Sequence, residues 1–190
     1  MFDRSLLPVS FSMIFRKINT NTYQLRTSQV IPLPREQAFI FFQDPRNLSE
    51  ITPDWLNFRM RDFDAGAKVF EGAEYDYSIK WLPWLWRTGW RSRIIQYRPP
   101  ETFTDIQIKG PYSSWQHLHI FEIISEGTSM KDIVTYRLPF GLIGKFAYHM
   151  LIRAQLEDIF SYRALRISEW ASGNFMWKVK HRANIDGFNI

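Results

Sequence analysis

The chain has 190 residues, no cysteine, a net charge of +5 and an aromatic share of 17%, made up of 16 Phe, 8 Tyr and 8 Trp. That length suits one domain with one core. The missing cysteines exclude disulfides, thiol nucleophiles and thiolate metal centres, and the scattered basic residues argue against a nucleic-acid groove. So much flat, bulky side chain fits either the lining of a pocket for apolar molecules or an aromatic-rich core.

Residues 1–22 read as a leader outside the domain. The apolar patch in MFDRSLLPVSFSMIFRK holds Pro8, follows an acidic residue and precedes no small-x-small cleavage site. It is also far shorter than the ~20 residues that span a bilayer. Tyr23 to Ile31 then reads as a strand, and PLPREQAFIFFQDPRNLSEITPDWL as two short helices parted at Asp44-Pro45, where Asp44 caps and Pro45 takes the first helical position. Strands follow at Asn57 to Phe63, Ala67 to Ile79, Trp86 to Tyr97, Thr102 to Lys109, Tyr112 to Ile124 and Ser129 to Leu138. Turn chemistry parts them at Ala65-Gly66, Pro99-Pro100, Gly110-Pro111 and Glu126-Gly127. Strands in succession without an intervening helix make an antiparallel meander.

Leu142 to Trp170 reads as about eight turns of helix. Its first-half stripe of Ile143, Phe146, Ala147, Met150, Leu151 and Ala154 lies on a different side from Leu156, Phe160, Ile167 and Trp170. A bend, or burial on two faces, reconciles them. Residues 171–190 read as a surface tail, so the domain spans 23–170. One strand, two small helices, a meander and a long helix predict an α+β fold in which a curved antiparallel sheet wraps the C-terminal helix.

In GPYSSWQHLHIFE, Trp115, His117, His119 and Phe121 occupy alternate positions and share one face of a strand. Two of the four histidines of the chain therefore point the same way. They could be buried structural residues, polar contacts that orient a ligand in a cavity, or acid–base groups. A metal site needs a third protein ligand, which no HExxH-like spacing offers, so no metal or cofactor is expected. Asp105 and Gln107 on the preceding strand are candidate partners, and register decides the matter. A two-residue turn at Gly110-Pro111 sets Asp105 opposite Gln116, whereas a slip of one residue sets it opposite His117. In the second register a carboxylate beside an imidazole forms an acid–base pair.

The run WLPWLW, Trp81 to Trp86, is the other unusual feature. Pro83 breaks the strand, so Trp81, Trp84 and Trp86 fall at a hairpin tip flanked by Lys80 and Arg87. Two readings stand: contact with a membrane interface, or a lid over the cavity mouth. Arg87, Arg91 and Arg93 read as a solvated outer face opposite Trp90 and Ile94.

The segments LPREQAFIFFQDPRNLSEITPDWLNFRM, WRSRI, FTDIQIKGPYSSWQHLHIFE and YRLPFGLIGKFAYHMLIRAQLEDIFSYRALRI resemble the SRPBCC superfamily, the START-like and polyketide-cyclase-like helix-grip group. The similarity covers about Tyr23 to Ser168, and within the group it points to the small ligand-binding SRPBCC proteins. The resemblance implies a cavity between sheet and long helix that accepts an apolar small molecule, and it supplies no reaction of its own. The expected function is therefore binding or transport of a lipid, quinone, isoprenoid or polyketide-like molecule. The alternatives are a cyclase or dehydratase using His117 and Asp105 as acid and base, and a membrane-associated assembly or chaperone-like protein. Trp90, Phe103, Asp105, Gln107, Trp115, His117, His119, Phe121, Phe146 and Met150 are the candidate ligand contacts. The expected location is cytoplasmic, with peripheral membrane contact through Trp81 to Trp86. Nucleic acid is not an expected partner.

Overall fold

The computed structural model describes residues 6–61, 69–80, 87–139 and 145–173, with side chains of the last segment from residue 151 onward. Among the described residues eight strands form one antiparallel sheet: β1 Ser12–Lys17, β2 Thr22–Ile31, β3 Arg59–Arg61, β4 Glu74–Ile79, β5 Thr88–Arg98, β6 Thr102–Lys109, β7 Ser114–Ile124 and β8 Gly127–Arg137. Their spatial order is β1-β2-β8-β7-β6-β5-β4-β3. Between β2 and β3 lie α1 Arg35–Phe42, α2 Asn47–Glu50 and a single 3-10 turn, Asp54–Leu56, and α3 Lys145–Ala171 follows the sheet. This is the predicted α+β helix-grip arrangement, a curved antiparallel sheet around a long C-terminal helix.

The meander follows from β3 to β8, and β2 closes it by pairing with β8 along its whole length, from Thr22↔Arg137 to Ile31↔Thr128. Alternation decides which face is buried. Tyr23, Leu25 and Ile31 of β2, Trp115 and Phe121 of β7, and Met130, Val134 and Tyr136 of β8 are all buried. Against them α3 sets Ile152, Leu156, Phe160 and Ile167, each at most 4% exposed, and each such side chain contributes on the order of 2 kcal/mol. Two apolar clusters result. One gathers Ile152, Leu156 and Phe160 with Leu25, Val134 and Tyr136. The other gathers Ile167 with α1, through Phe39, Phe41 and Phe42, and with Phe103 and Phe121 of the sheet.

Several boundaries differ from the sequence reading, for physical reasons. The segment read as a leader holds β1, which pairs with β2 from Ser12↔Ser28 to Lys17↔Tyr23. Its alternation is faint because only Met13 and Phe15 pack against the core, and Arg153 of α3 lies over the Phe15 ring at 5.0 Å. With only two side chains of an edge strand half-buried, little periodicity is left to read. Of the strands read at 57–63 and 67–79, β3 begins two residues late at Arg59 and β4 begins only at Glu74, while residues 62–68 lie outside the described residues. Asp44 accepts a hydrogen bond from the Arg46 backbone N–H at 3.0 Å, so it shapes a turn ahead of α2 and does not cap a helix that starts at Pro45. On α3, Leu151 is 38% exposed and Ala154 is exposed as well, while Ile152 takes the inward place.

Gly127 starts β8 with φ +128°, and a Cβ there would stand 2.4 Å from the Ile31 carbonyl oxygen and 2.9 Å from the Leu33 nitrogen. Both obstacles are backbone, and the neighbouring Thr128 hydroxyl holds the Leu33 carbonyl at 2.7 Å. Gly127→Ala is therefore expected to cost about 1–3 kcal/mol, read as a lower midpoint in urea unfolding. An unchanged midpoint would mean that the turn relaxes freely.

Candidate functional site

The turn between β6 and β7 decides what meets on the sheet. Lys109 ends β6 and Ser114 begins β7, so Gly110–Ser113 span the connection. The Gln107 side chain reaches across it: its Nε2 donates to the Tyr112 carbonyl at 2.7 Å, and its Oε1 accepts from the Tyr112 N–H at 3.3 Å. Gly110 makes room for this clamp, since a Cβ there would lie 2.4 Å from the Gln107 Oε1. A longer connection than a two-residue turn shifts the register by one, and Asp105 pairs with His117.

Asp105, His117 and His119 thus come together on the inward face, and the next strand adds Asp132, paired with His119 across β7 and β8. His117 Nε2 is hydrogen-bonded to Asp132 Oδ1 at 3.0 Å. His119 Nδ1 lies 2.8 Å from the same oxygen but off the line of a hydrogen bond. On their other sides the rings face Asp105: its Oδ2 is 3.4 Å from His119 Nε2 and 3.8 Å from His117 Nδ1. The Thr27 hydroxyl donates to Asp132 Oδ2 at 3.3 Å, and Arg163 Nε of α3 stands 3.6 Å from that oxygen. Phe103 stacks on the His119 ring with centroids 4.1 Å apart and planes inclined by 22°. Phe160 meets His117 edge-on at 5.7 Å.

Burial makes these contacts strong, because charges without water must be balanced by neighbours. His117, His119, Asp132 and Arg163 are each at most 7% exposed. Burial favours the protonated form of Asp132, but the Arg163 guanidinium and the two imidazoles outweigh it and hold the carboxyl well below the usual carboxylate range. Burial, with His119 alongside, lowers the pKa of His117 despite Asp132. Burial also acts against the His119 cation, yet Asp105 and Asp132 together push its pKa up. Neighbouring imidazoles are therefore driven apart in basicity.

A cavity of about 220 Å³ lies between the sheet and α3. Trp90, Phe103, Asp105, Trp115, His117 and His119 stand in its wall, together with Tyr77, Ile159, Phe160 and Arg163. Two sequence candidates do not. Gln107 is spent on the turn clamp, and Phe121, 1% exposed, packs behind the wall against Phe39 and Phe42. The side chains of Phe146 and Met150, and the whole of Trp81, Trp84 and Trp86, lie outside the described residues. Arg87 departs from the solvated outer face, since it donates to the carbonyls of Asn57 at 2.9 Å and Ser78 at 3.1 Å. Arg91 and Arg93 do pair on the surface, with Asp76 and Glu74.

Sequence reasoning missed Asp132 and Arg163, although both carried a signal. Asp132 occupies an inward position among Met130, Val134 and Tyr136, and Arg163 sits on the helix face of Leu156, Phe160 and Ile167. A charge within an apolar stripe asks for a partner.

No family model and no curated protein matches the chain. Solved structures do. Protein CV1439 from Chromobacterium violaceum superposes with a TM-score of 0.56 at 17% identity, over 78% of this chain and 98% of that one. TTHA0849 from Thermus thermophilus gives 0.55 at 16%, over 78% and 99%. Ara h 8.0201 gives 0.53 at 13%, over 80% and 99%. At such identities the likeness is one of fold, and the chain has the helix-grip fold. Among the described residues no helix is long and apolar enough to cross a membrane.

Proposed function

We propose that the protein binds and carries an apolar small molecule of lipid, quinone, isoprenoid or polyketide-like character between sheet and α3, as an SRPBCC-type binder. The observation behind this reading is the cavity itself. Its wall is mostly aromatic and aliphatic, and Asp105, His117, His119 and Arg163 are among its polar members. Such a wall orients a molecule with one polar end, whose oxygen meets the imidazoles while the rest lies against Trp90, Trp115 and Phe160. The volume sits below the roughly 300–1,000 Å³ of most drug-sized pockets, which favours a slim cargo over a bulky one.

An environment-sensitive apolar fluorophore should bind with about micromolar affinity, equivalent to about 8 kcal/mol. Ile159→Trp, which narrows the cavity from α3, should weaken binding at least about tenfold. Equal binding to both proteins, or none to either, would defeat the reading.

A second reading, a cyclase or dehydratase, is favoured by one observation. His117 and His119 lean toward opposite protonation states beside the same cavity, a division that suits a base and an acid working together. Binding precedes catalysis in either case, so the binding assay comes first.

A further inference from the structure

We propose that Asp105, His117 and His119 form a binding site for a divalent first-row transition ion of the zinc class, open on its fourth side to the cavity. The proposal goes beyond the apolar cargo and does not depend on one. Among the described residues, the ligand atoms of these three lie within 4.8 Å of one another.

The arrangement of nitrogens carries the argument. Each ring turns one nitrogen to Asp132, His117 by a hydrogen bond of 3.0 Å and His119 at 2.8 Å, and its other nitrogen to Asp105. A neutral imidazole with its N–H toward Asp132 presents a lone pair on the Asp105 side. Two ring nitrogens and a carboxylate oxygen thus stand within 4.8 Å of one another, a set that a cation among them would hold together. Neither ring makes a close hydrogen bond to Asp105. The gaps of 3.4 and 3.8 Å to Asp105 exceed the ~2.7–2.9 Å of a charge-assisted hydrogen bond. They suit a tetrahedral ion better, because two ligands each ~2.1 Å from such an ion stand about 3.4 Å apart.

The surroundings match what holds a metal ligand in place. Asp132 is hydrogen-bonded to His117 on the side away from Asp105 and is itself fixed by Thr27 and Arg163, the carboxylate–histidine relation that orients metal-bound rings. Phe103, stacked on His119, sets the plane of that ring independently. Charge agrees as well. Asp105, Asp132 and Arg163 sum to −1 with both histidines neutral, so a dication leaves +1, and an anionic oxygen from the cavity would neutralise it. Two imidazoles and one carboxylate select zinc, cobalt, iron or nickel over calcium and magnesium, which take oxygen ligands.

The test uses the untagged full chain, stripped with a chelator and titrated with Co²⁺ and separately with Zn²⁺. One equivalent of Co²⁺ should bind with the visible absorption of a four- or five-coordinate site. Zn²⁺ should displace it and raise the melting temperature, and the chelator should reverse that rise. Asp105→Asn should weaken metal binding at least about 100-fold while leaving the far-UV spectrum unchanged. His119→Gln gives the same readout if the first variant does not fold. Octahedral cobalt spectra, binding undiminished in a folded variant, or a wild-type melting temperature unmoved by Zn²⁺ would each overturn the proposal. Loss of the metal site with fluorophore binding retained would leave the cargo reading intact.

Discussion

Asp132→Ala should destabilise the protein by about 3–5 kcal/mol, the range for removing one partner of a buried ion pair. The carboxylate is 4% exposed and serves three groups: the His117 imidazole, the Thr27 hydroxyl and the Arg163 guanidinium. Alanine leaves a guanidinium, itself 7% exposed, without its counter-charge under a helix that cannot move aside. Urea unfolding at neutral pH reads the loss directly. The double variant Asp132→Ala/Arg163→Met should recover at least half of it, since both charges then disappear together. A loss below about 1 kcal/mol, or no recovery in the double variant, would show that the ion pair is not what balances the site.

Phe121→Ala should cost a similar amount, about 3–5 kcal/mol, and do so without touching the cavity. The ring is 1% exposed and meets Phe39 and Phe42 with centroids 5.3 Å from each. Its loss opens a void between α1 and the sheet that rigid neighbours do not fill. Fluorophore affinity, measured well below the unfolding transition, should stay within about twofold of the parent protein. A tenfold loss of affinity in a folded variant would return Phe121 to the cavity wall. The contrast with Trp115 and His117 on the same strand is instructive. Alternation puts all of them on one face, but Phe121 is covered by α1 whereas Trp115 and His117 stand in the cavity wall.

That contrast marks what could be read from the sequence. Period-two patterns gave β6 at Thr102–Lys109 without error and placed β2, β7 and β8 to within two residues, because each strand buries a full row of side chains. They failed for β1, where an edge strand buries only Met13 and Phe15 in part, and for the starts of β3 and β4, which come later than the apolar runs suggested. The site was legible as a face and not as a set of partners. The histidines announced themselves by spacing, whereas the approach of Asp105 depends on the Gln107 clamp across Gly110, a side-chain contact that no periodicity encodes. Asp132 and Arg163 stood in plain view within apolar stripes, yet their meeting required the helix to lie across β8. Local pattern reports which way a residue points, and topology decides what it meets.

Thr27 on β2, Asp132 on β8, His119 on β7 and Phe103 on β6 face one another as successive register partners. They form a continuous rung across four strands, roofed by Arg163. Such a rung constrains descent. A lineage that loses the carboxylate at 132 keeps a stranded cation at 163 and an unsupported imidazole at 117, so the first step away costs stability. Relatives of this chain should therefore fall into two kinds, those that carry the whole rung and those in which it is apolar throughout, with few between.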